Sequence, residues 1–264
     1  MKMKTLTLSL FVTLFAFTAC KKDSKTTEPS NPSNDPELLG PETGKALHYS
    51  FNGNLNDGSG NNLTATSAGT VNYTADRFGR PNQAVVFTGA SNPTAIATPS
   101  ITSKITGFPF AMSLWIKPTA VSGSQTLVRT AGGESANYSG AWLQLGVGGE
   151  GTLSFSFGNN TTTSSSGRST ITTSALFSAN NWYHVVINVR GSGDMDVYVN
   201  GVKDNAASYS GSATSMVYDS NNATGVLGVY PGFSSNYDGL MDDYRLYSKE
   251  LSATDVATLY NFHP

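Results

Sequence analysis

From residue 46 onward, large apolar side chains recur at every second position in short runs, and that period limits what the chain can fold into. Leu47, Tyr49 and Phe51 alternate with His48 and Ser50, and Phe110, Met112, Leu114 and Ile116 alternate with Ala111, Ser113 and Trp115. Leu153, Phe155 and Phe157 alternate in the same way with Ser154 and Ser156. A period of two buries one face of a strand and leaves the other outward, which a helix cannot do. Between Trp182 and Val189 both faces are largely apolar, which predicts a central strand. The run from Met195 to Val199 meets Asn200-Gly201, a pair that accepts positive φ and predicts a hairpin. Further strands are expected near 84–88, 125–130, 141–147, 225–230 and 240–247, while the Ser/Thr-rich stretch 161–175 reads as a loop leading into an edge strand. One helix is expected, where Ser252-Ala253-Thr254-Asp255 forms a capping-box-like start followed by Val256, Leu259 and Tyr260 on one face. About a dozen short strands joined by turns predict an all-β antiparallel sandwich with a short C-terminal helix.

Composition supports strands and narrows the partners. Charged residues make up 13% of the chain, with Ser, Thr, Asn and Gly in their place, and the net charge is −2. No basic stripe exists to neutralise phosphates, so nucleic acid is excluded as a partner.

The chain divides into three parts. Residues 1–19 read as a signal peptide, with Lys2 and Lys4 ahead of an apolar run from Leu6 to Phe17. That run is shorter than the ~20 residues needed to span a bilayer. It ends in Phe17-Thr18-Ala19-Cys20, which resembles the lipobox of bacterial lipoproteins. The resemblance implies lipidation of Cys20 and an outer-membrane lipoprotein that touches the membrane through its lipid anchor alone. Cys20 is the only cysteine, so no intramolecular disulfide can form. Residues 20–45 carry four prolines and few large apolar side chains, as expected of a flexible tether. Lys21-Lys22-Asp23 is similar to the sorting signals of surface lipoproteins in Bacteroidota, which implies a domain facing the cell exterior. Residues 46–264 form the expected β domain.

Four segments of that domain carry a family resemblance. They are Leu47-His48-Tyr49-Ser50-Phe51-Asn52-Gly53-Asn54-Leu55-Asn56-Asp57; Phe110 to Pro118; Asn181-Trp182-Tyr183-His184-Val185 continuing to Val197-Tyr198-Val199-Asn200-Gly201; and Tyr237-Asp238-Gly239-Leu240-Met241-Asp242-Asp243-Tyr244-Arg245-Leu246-Tyr247. In this order they resemble the laminin-G-like, concanavalin A-like lectin/glucanase jelly roll. The resemblance implies a structural calcium joining the first turn to an acidic pair near the last strand. Asn52, Asn54, Asp57, Asp242 and Asp243 are the ligands so implied, although the family's usual Asp appears here as Asn52. The alternative for the first turn is a set of Asx turns that cap strands.

Catalysis by this architecture needs two carboxylates about 5–10 Å apart. The Glu-x-Asp-x-x-Glu motif of laminarinase-type relatives is absent, and no Gly-x-Ser-x-Gly elbow occurs, so no enzyme is expected. The three histidines, His48, His184 and His263, are too scattered for a zinc site, and His184 reads as a hydrogen-bonded core residue. Trp115 and Trp182 read as core packing. Loop aromatics instead suggest recognition: Tyr138 and Trp142 in one segment, Tyr230, Phe233 and Tyr237 in another. They either line a ligand groove or fold back over a sandwich edge. The expected function is glycan binding at the cell surface, with a protein-binding adhesion module as the alternative, and a glycoside hydrolase or lyase behind both.

Overall fold

The computed structural model describes residues 40–89, 95–131, 137–221, 224–230 and 235–262. Cys20, the leader, nearly all of the tether and Phe233 lie outside the described residues.

Among the described residues sixteen strands and one α-helix follow in chain order: β1 Lys45–Tyr49, β2 Thr66–Ser67, β3 Asn72–Thr74, β4 Ala84–Thr88, β5 Ile96–Thr98, β6 Phe110–Pro118, β7 Gln125–Arg129, β8 Ser139–Leu145, β9 Leu153–Asn159, β10 Arg168–Thr172, β11 Tyr183–Gly191, β12 Asp194–Val199, β13 Val202–Lys203, β14 Ser208–Gly211, β15 Gly225–Leu227, β16 Asp238–Tyr247 and α1 Ala253–Tyr260. They form two antiparallel sheets. Sheet A runs β13-β12-β11-β6-β16-β4-β3, with β1 also paired to β16. Sheet B runs β14-β10-β9-β8-β7-β15-β5-β2.

The period-two pattern explains the core. Phe110, Met112, Leu114 and Ile116 of sheet A face inward with Val185, Ile187 and Val189, and meet Leu143, Leu145, Phe155 and Phe157 of sheet B. The Phe110 and Phe155 rings, 6.0 Å apart, close the gap between the sheets. The expected hairpin is present, with Asn200 at φ 51 and Gly201 at φ 79 between β12 and β13. β11 lies between β12 and β6, the central position that its apolar faces require.

Two expectations are corrected. The stretch read as a loop contains β10, which lies between β9 and β14, so β14 and not β10 is the edge. Its hydroxyl-rich sequence hides a strand because only Ile171 presents a large side chain to the core. Trp182 is half-buried just ahead of β11 rather than packed in the core, whereas Trp115, 7% exposed, is buried as expected, on the outer face of sheet A.

Helix α1 covers the outer face of sheet A. The Ser252 hydroxyl accepts from Asp255 N at 3.1 Å while Ser252 N donates to Asp255 Oδ2 at 2.9 Å, the reciprocal capping box. Leu251, Val256 and Leu259 pack on Ala111, Val186 and Tyr247. Asn188 fixes the approach: its Nδ2 donates to Leu251 O at 2.7 Å and its Oδ1 accepts from Leu251 N at 2.9 Å. Among the described residues no second helix covers sheet B.

Candidate functional site

The outer face of sheet B is assembled by strand register. Arg129 of β7 lies opposite Trp142 of β8, Trp142 opposite Ser156 of β9, and Ser156 opposite Thr170 of β10. One step along, Thr126, Gln144, Ser154 and Thr172 form a parallel row. Inward positions of the same strands are Leu and Phe, so the alternation that builds the core also paves the outer face with short polar groups. These groups bond to one another: Gln144 Nε2 donates to Thr126 Oγ1 at 3.1 Å, and the Ser154–Thr172 and Ser156–Thr170 hydroxyl pairs lie at 2.9 and 2.8 Å.

One border of this face is a stacked row of aromatic and guanidinium groups. The Arg129 guanidinium lies 4.0 Å from the centre of the Tyr230 ring and 5.8 Å from that of Trp142. Trp142 and Tyr138 are 5.4 Å apart, and the Arg168 guanidinium lies 5.0 Å from the Tyr138 ring. Arg168 Nη1 also donates to Tyr138 Oη at 2.9 Å. Gly158 permits Tyr138 to cross the end of β9, because a Cβ there would stand 2.3 Å from the Tyr138 backbone. Arg129 and Trp142 are each 5% exposed and form the floor of the row, whereas Tyr138, Tyr230 and Arg168 are half-buried. Burial pulls the Arg129 pKa below its ordinary value.

Three of the expected ligand-binding aromatics, Tyr138, Trp142 and Tyr230, therefore meet through Arg129. Tyr237 does not join them. It is fully buried, packs 5.8 Å from the Phe87 ring and donates to Leu240 O, so it belongs to the core. Arg129, Arg168 and the hydroxyl rows were missed by the sequence reading. The available signal was an outward position in a strand otherwise free of charge.

The expected calcium ligands lie toward the opposite face and do not fit an ion. Asp57 spends both oxygens inside its own turn: Oδ1 accepts from His48 N and Ser59 N, and Oδ2 from Ser59 Oγ and Leu63 N. Although burial pushes its carboxyl up, those bonds outweigh it and hold the pKa low. Asn52 and Asn54 are exposed, and Asn54 Oδ1 accepts from Asn56 N, an Asx turn. Asp242 pairs with Arg77 at 2.5 Å, and Asp243 with Arg245 Nε at 2.9 Å and His48 Nε2 at 2.8 Å. Two arginines thus balance two carboxylates, and no group of three or more His, Cys, Asp or Glu side chains placed to hold a metal occurs among the described residues. Asp76 aims Arg77 by accepting from Phe78 N and Arg80 N, both at 2.9 Å.

His184 sits beside this cluster, its Nε2 3.0 Å from Ser113 Oγ and its ring 5.1 Å from Trp115. Burial pushes its pKa down to about 3, with Asp243 opposing and Arg77 and Arg245 reinforcing. A histidine held neutral contributes stability that is full above the unfolded value and lost as pH falls below it. At Asp242 burial and the Asp243 carboxylate push the pKa up, and the Arg77 guanidinium at 2.5 Å opposes them. Replacing His184→Gln is therefore expected to remove a slope of about 1.4 kcal/mol per pH unit between roughly pH 6 and 4.5, making the variant gain on acidification relative to the wild type. Urea unfolding across that window measures it, and identical slopes in the two proteins would refute it. Divalent-cation removal should leave the melting temperature unchanged, because the carboxylates are already neutralised. A fall of several degrees in chelator would contradict that.

Comparison with known proteins places this geometry. No curated protein matches the chain. Domain 4 of AbnA, a GH43 extracellular arabinanase from Geobacillus stearothermophilus, solved in complex with arabinotriose, is similar over 84% of this chain and 100% of its own, with TM-score 0.61 and 24% identity. The binding domain of botulinum neurotoxin DC in complex with SialylT gives TM-score 0.60 and 17% identity over 83% of this chain and 52% of its own. The binding domain of Paraclostridial Mosquitocidal Protein 1 gives 0.61 and 17% over 83% and 52%. The chain spans about half the length of these two toxin domains. At these identities the likeness shows the fold. The Laminin_G_3 family model matches residues 87–257, and the chain belongs to the concanavalin A-like lectin/glucanases superfamily.

Proposed function

We propose that this protein is a non-catalytic glycan-binding module, held at the cell surface by a lipid on Cys20, with the glycan lying across the outer face of sheet B. The observation that carries the reading is the makeup of that face. Its rows of hydroxyl and amide groups are buried at Thr126, Ser154, Ser156 and Thr170 and reach the surface at Gln144 and Thr172, beside the half-buried rings of Tyr138 and Tyr230, and no helix covers it among the described residues. Sugars are recognised by such a combination, in which aromatic rings meet the apolar side of the pyranose and side-chain oxygens and amides take its hydroxyls. The eight strands of sheet B contain no Asp or Glu, so those strands supply no carboxylate pair for glycoside hydrolysis. The bound arabinotriose in the similar arabinanase domain is consistent with a sugar ligand for this fold.

Tyr138 and Tyr230 are the rings with accessible surface, and losing one ring contact costs about 1.4 kcal/mol, or about tenfold. Tyr138→Ala and Tyr230→Ala are each expected to weaken retention on a glycan array or in affinity electrophoresis by about that factor at a temperature where circular dichroism shows both variants folded, with the larger fall in melting temperature in Tyr230→Ala because that ring also holds Arg129. A wild-type domain that retains no glycan, yet captures a purified surface protein, would replace this reading with the adhesion module. For the anchor, Cys20→Ser is expected to move the protein from the membrane fraction to a soluble one. Unchanged fractionation of that variant would remove the lipid from the proposal.

A further inference from the structure

The chain has six arginines, and their partners divide them sharply. Arg77 pairs with Asp242, Arg80 with Asp76, Arg190 with Asp194 and Arg245 with Asp243. The remaining two, Arg129 and Arg168, have no carboxylate partner among the described residues, and both stand in the aromatic row of sheet B. They are also the only charged residues in the eight strands of that sheet, which lack Asp, Glu and Lys. A guanidinium as buried as Arg129, at 5% exposure, costs several kcal/mol unless an anion compensates it. What holds it here is the carbonyl of Ala131, at 3.2 Å from Nε, a side-chain hydrogen bond with Tyr230 and two ring faces, none of which carries a full negative charge.

Resting on the reading of this face as a glycan site, we propose that its ligand is an acidic glycan, with the anionic groups of separate sugar rings meeting Arg129 and Arg168. Planar guanidinium groups match carboxylate and sulfate oxygens through paired hydrogen bonds. The two arginines start from β7 and β10, three strand spacings or ~14 Å apart, with the Trp142 and Tyr138 rings between them. A single acid group does not reach both, so the ligand is an oligomer or polymer with more than one acidic ring. The protein's net charge of −2 gives no general attraction to polyanions, so binding of this kind has to come from a local site.

The test is calorimetric titration of the whole domain with four probes: polygalacturonate, its fully methyl-esterified form, dextran sulfate and neutral galactan. Polygalacturonate is expected to bind at least about tenfold more tightly than its ester, the factor a charge-assisted hydrogen bond supplies, and the preference should shrink as salt is raised. Arg168→Gln, at a half-buried position, should reduce the preference to within about twofold, as should Arg129→Gln if its melting temperature shows that it folds. Lys104→Gln, at an exposed lysine outside the sheet B strands, should leave binding unchanged. Dextran sulfate binding as tightly as polygalacturonate would assign the sites to sulfate and carboxylate alike, and weaker binding to carboxylate alone. Equal affinity for the ester and neutral galactan, still lost in Tyr138→Ala, would overturn the acidic ligand and leave the glycan reading intact. No binding to any probe would overturn both.

Discussion

Adjacent residues of a strand point to opposite faces, yet Asp242 and Asp243 of β16 both lie on the outer side of sheet A. They do so because a bulge breaks the register there: Asp242 is opposite Trp115 and Arg245 opposite Ser113, with Asp243 at φ 52 between them. Two neighbouring carboxylates, 3% and 6% exposed, are tolerable only with cations supplied to them. Arg77 arrives from the turn between β3 and β4 and Arg245 from β16 itself, while His48 of β1, whose pKa burial and Arg245 push down, adds a hydrogen bond to Asp243 at 2.8 Å. Burial pushes Asp243 up, but Arg245, His48 and Arg77 outweigh it and hold the carboxyl far below its usual range. The cluster therefore locks the first strand, the β3–β4 turn and the last strand into one arrangement. It extends to the C-terminal segment as well, since Arg77 Nη2 donates to Phe262 O at 3.1 Å and the Arg245 guanidinium lies 4.9 Å from the Phe262 ring. Removing one member of such a network leaves a buried charge unpaired, at about 3–5 kcal/mol, so its role is to fix geometry more than to add net stability.

This arrangement decides which side of the sandwich carries the charge pairs and the helix. The charge cluster, Trp115 and the helix occupy the outer face of sheet A, where Trp115 stacks between the Arg77 guanidinium at 4.4 Å and the Tyr260 ring at 5.7 Å. All the acidic residues that compensate buried arginines lie on sheet A or its loops. Sheet B is left with hydroxyls, amides and two arginines, a face without intramolecular claims on its charge.

Much of the fold was legible in the sequence because period-two burial, an Asn-Gly turn and a capping box are local signals. β4, β6, β11, β12 and α1 follow from residues within a few positions of one another. The failures have a common cause in distance along the chain. The Arg77–Asp242 pair spans 165 residues, so no local pattern shows that Asp242 is already neutralised. β10 is read as a loop because the partners of its hydroxyls, Ser154 and Ser156, are contributed by β9. Tyr237 stands among Gly, Ser and Asn like a binding-loop aromatic, but the pairing of Asp238 with Thr88 carries it inward against Phe87. Tyr138, Trp142 and Tyr230 could be picked out singly as aromatics in polar surroundings, yet the residue that joins them, Arg129, carries no local mark of that role.

The contrast between the two sheets gives Arg129 its meaning. Where this chain buries an arginine for structural reasons, it supplies a carboxylate, even from 165 residues away. At Arg129 it supplies neutral groups instead, the Ala131 carbonyl, the Tyr230 side chain and two ring faces, and a guanidinium over an aromatic ring gains about 0.5–2 kcal/mol. Ring faces orient the guanidinium without consuming its charge, whereas a carboxylate would consume it and fill the space beside it. A site that must accept an outside anion needs the first arrangement. Holding the side chain rigid ahead of binding also lowers the ordering entropy lost when the ligand arrives. The stability given up at Arg129 is thus confined to a row whose accessible members are Tyr138, Tyr230 and Arg168, while the cluster on β16 secures the rest of the molecule.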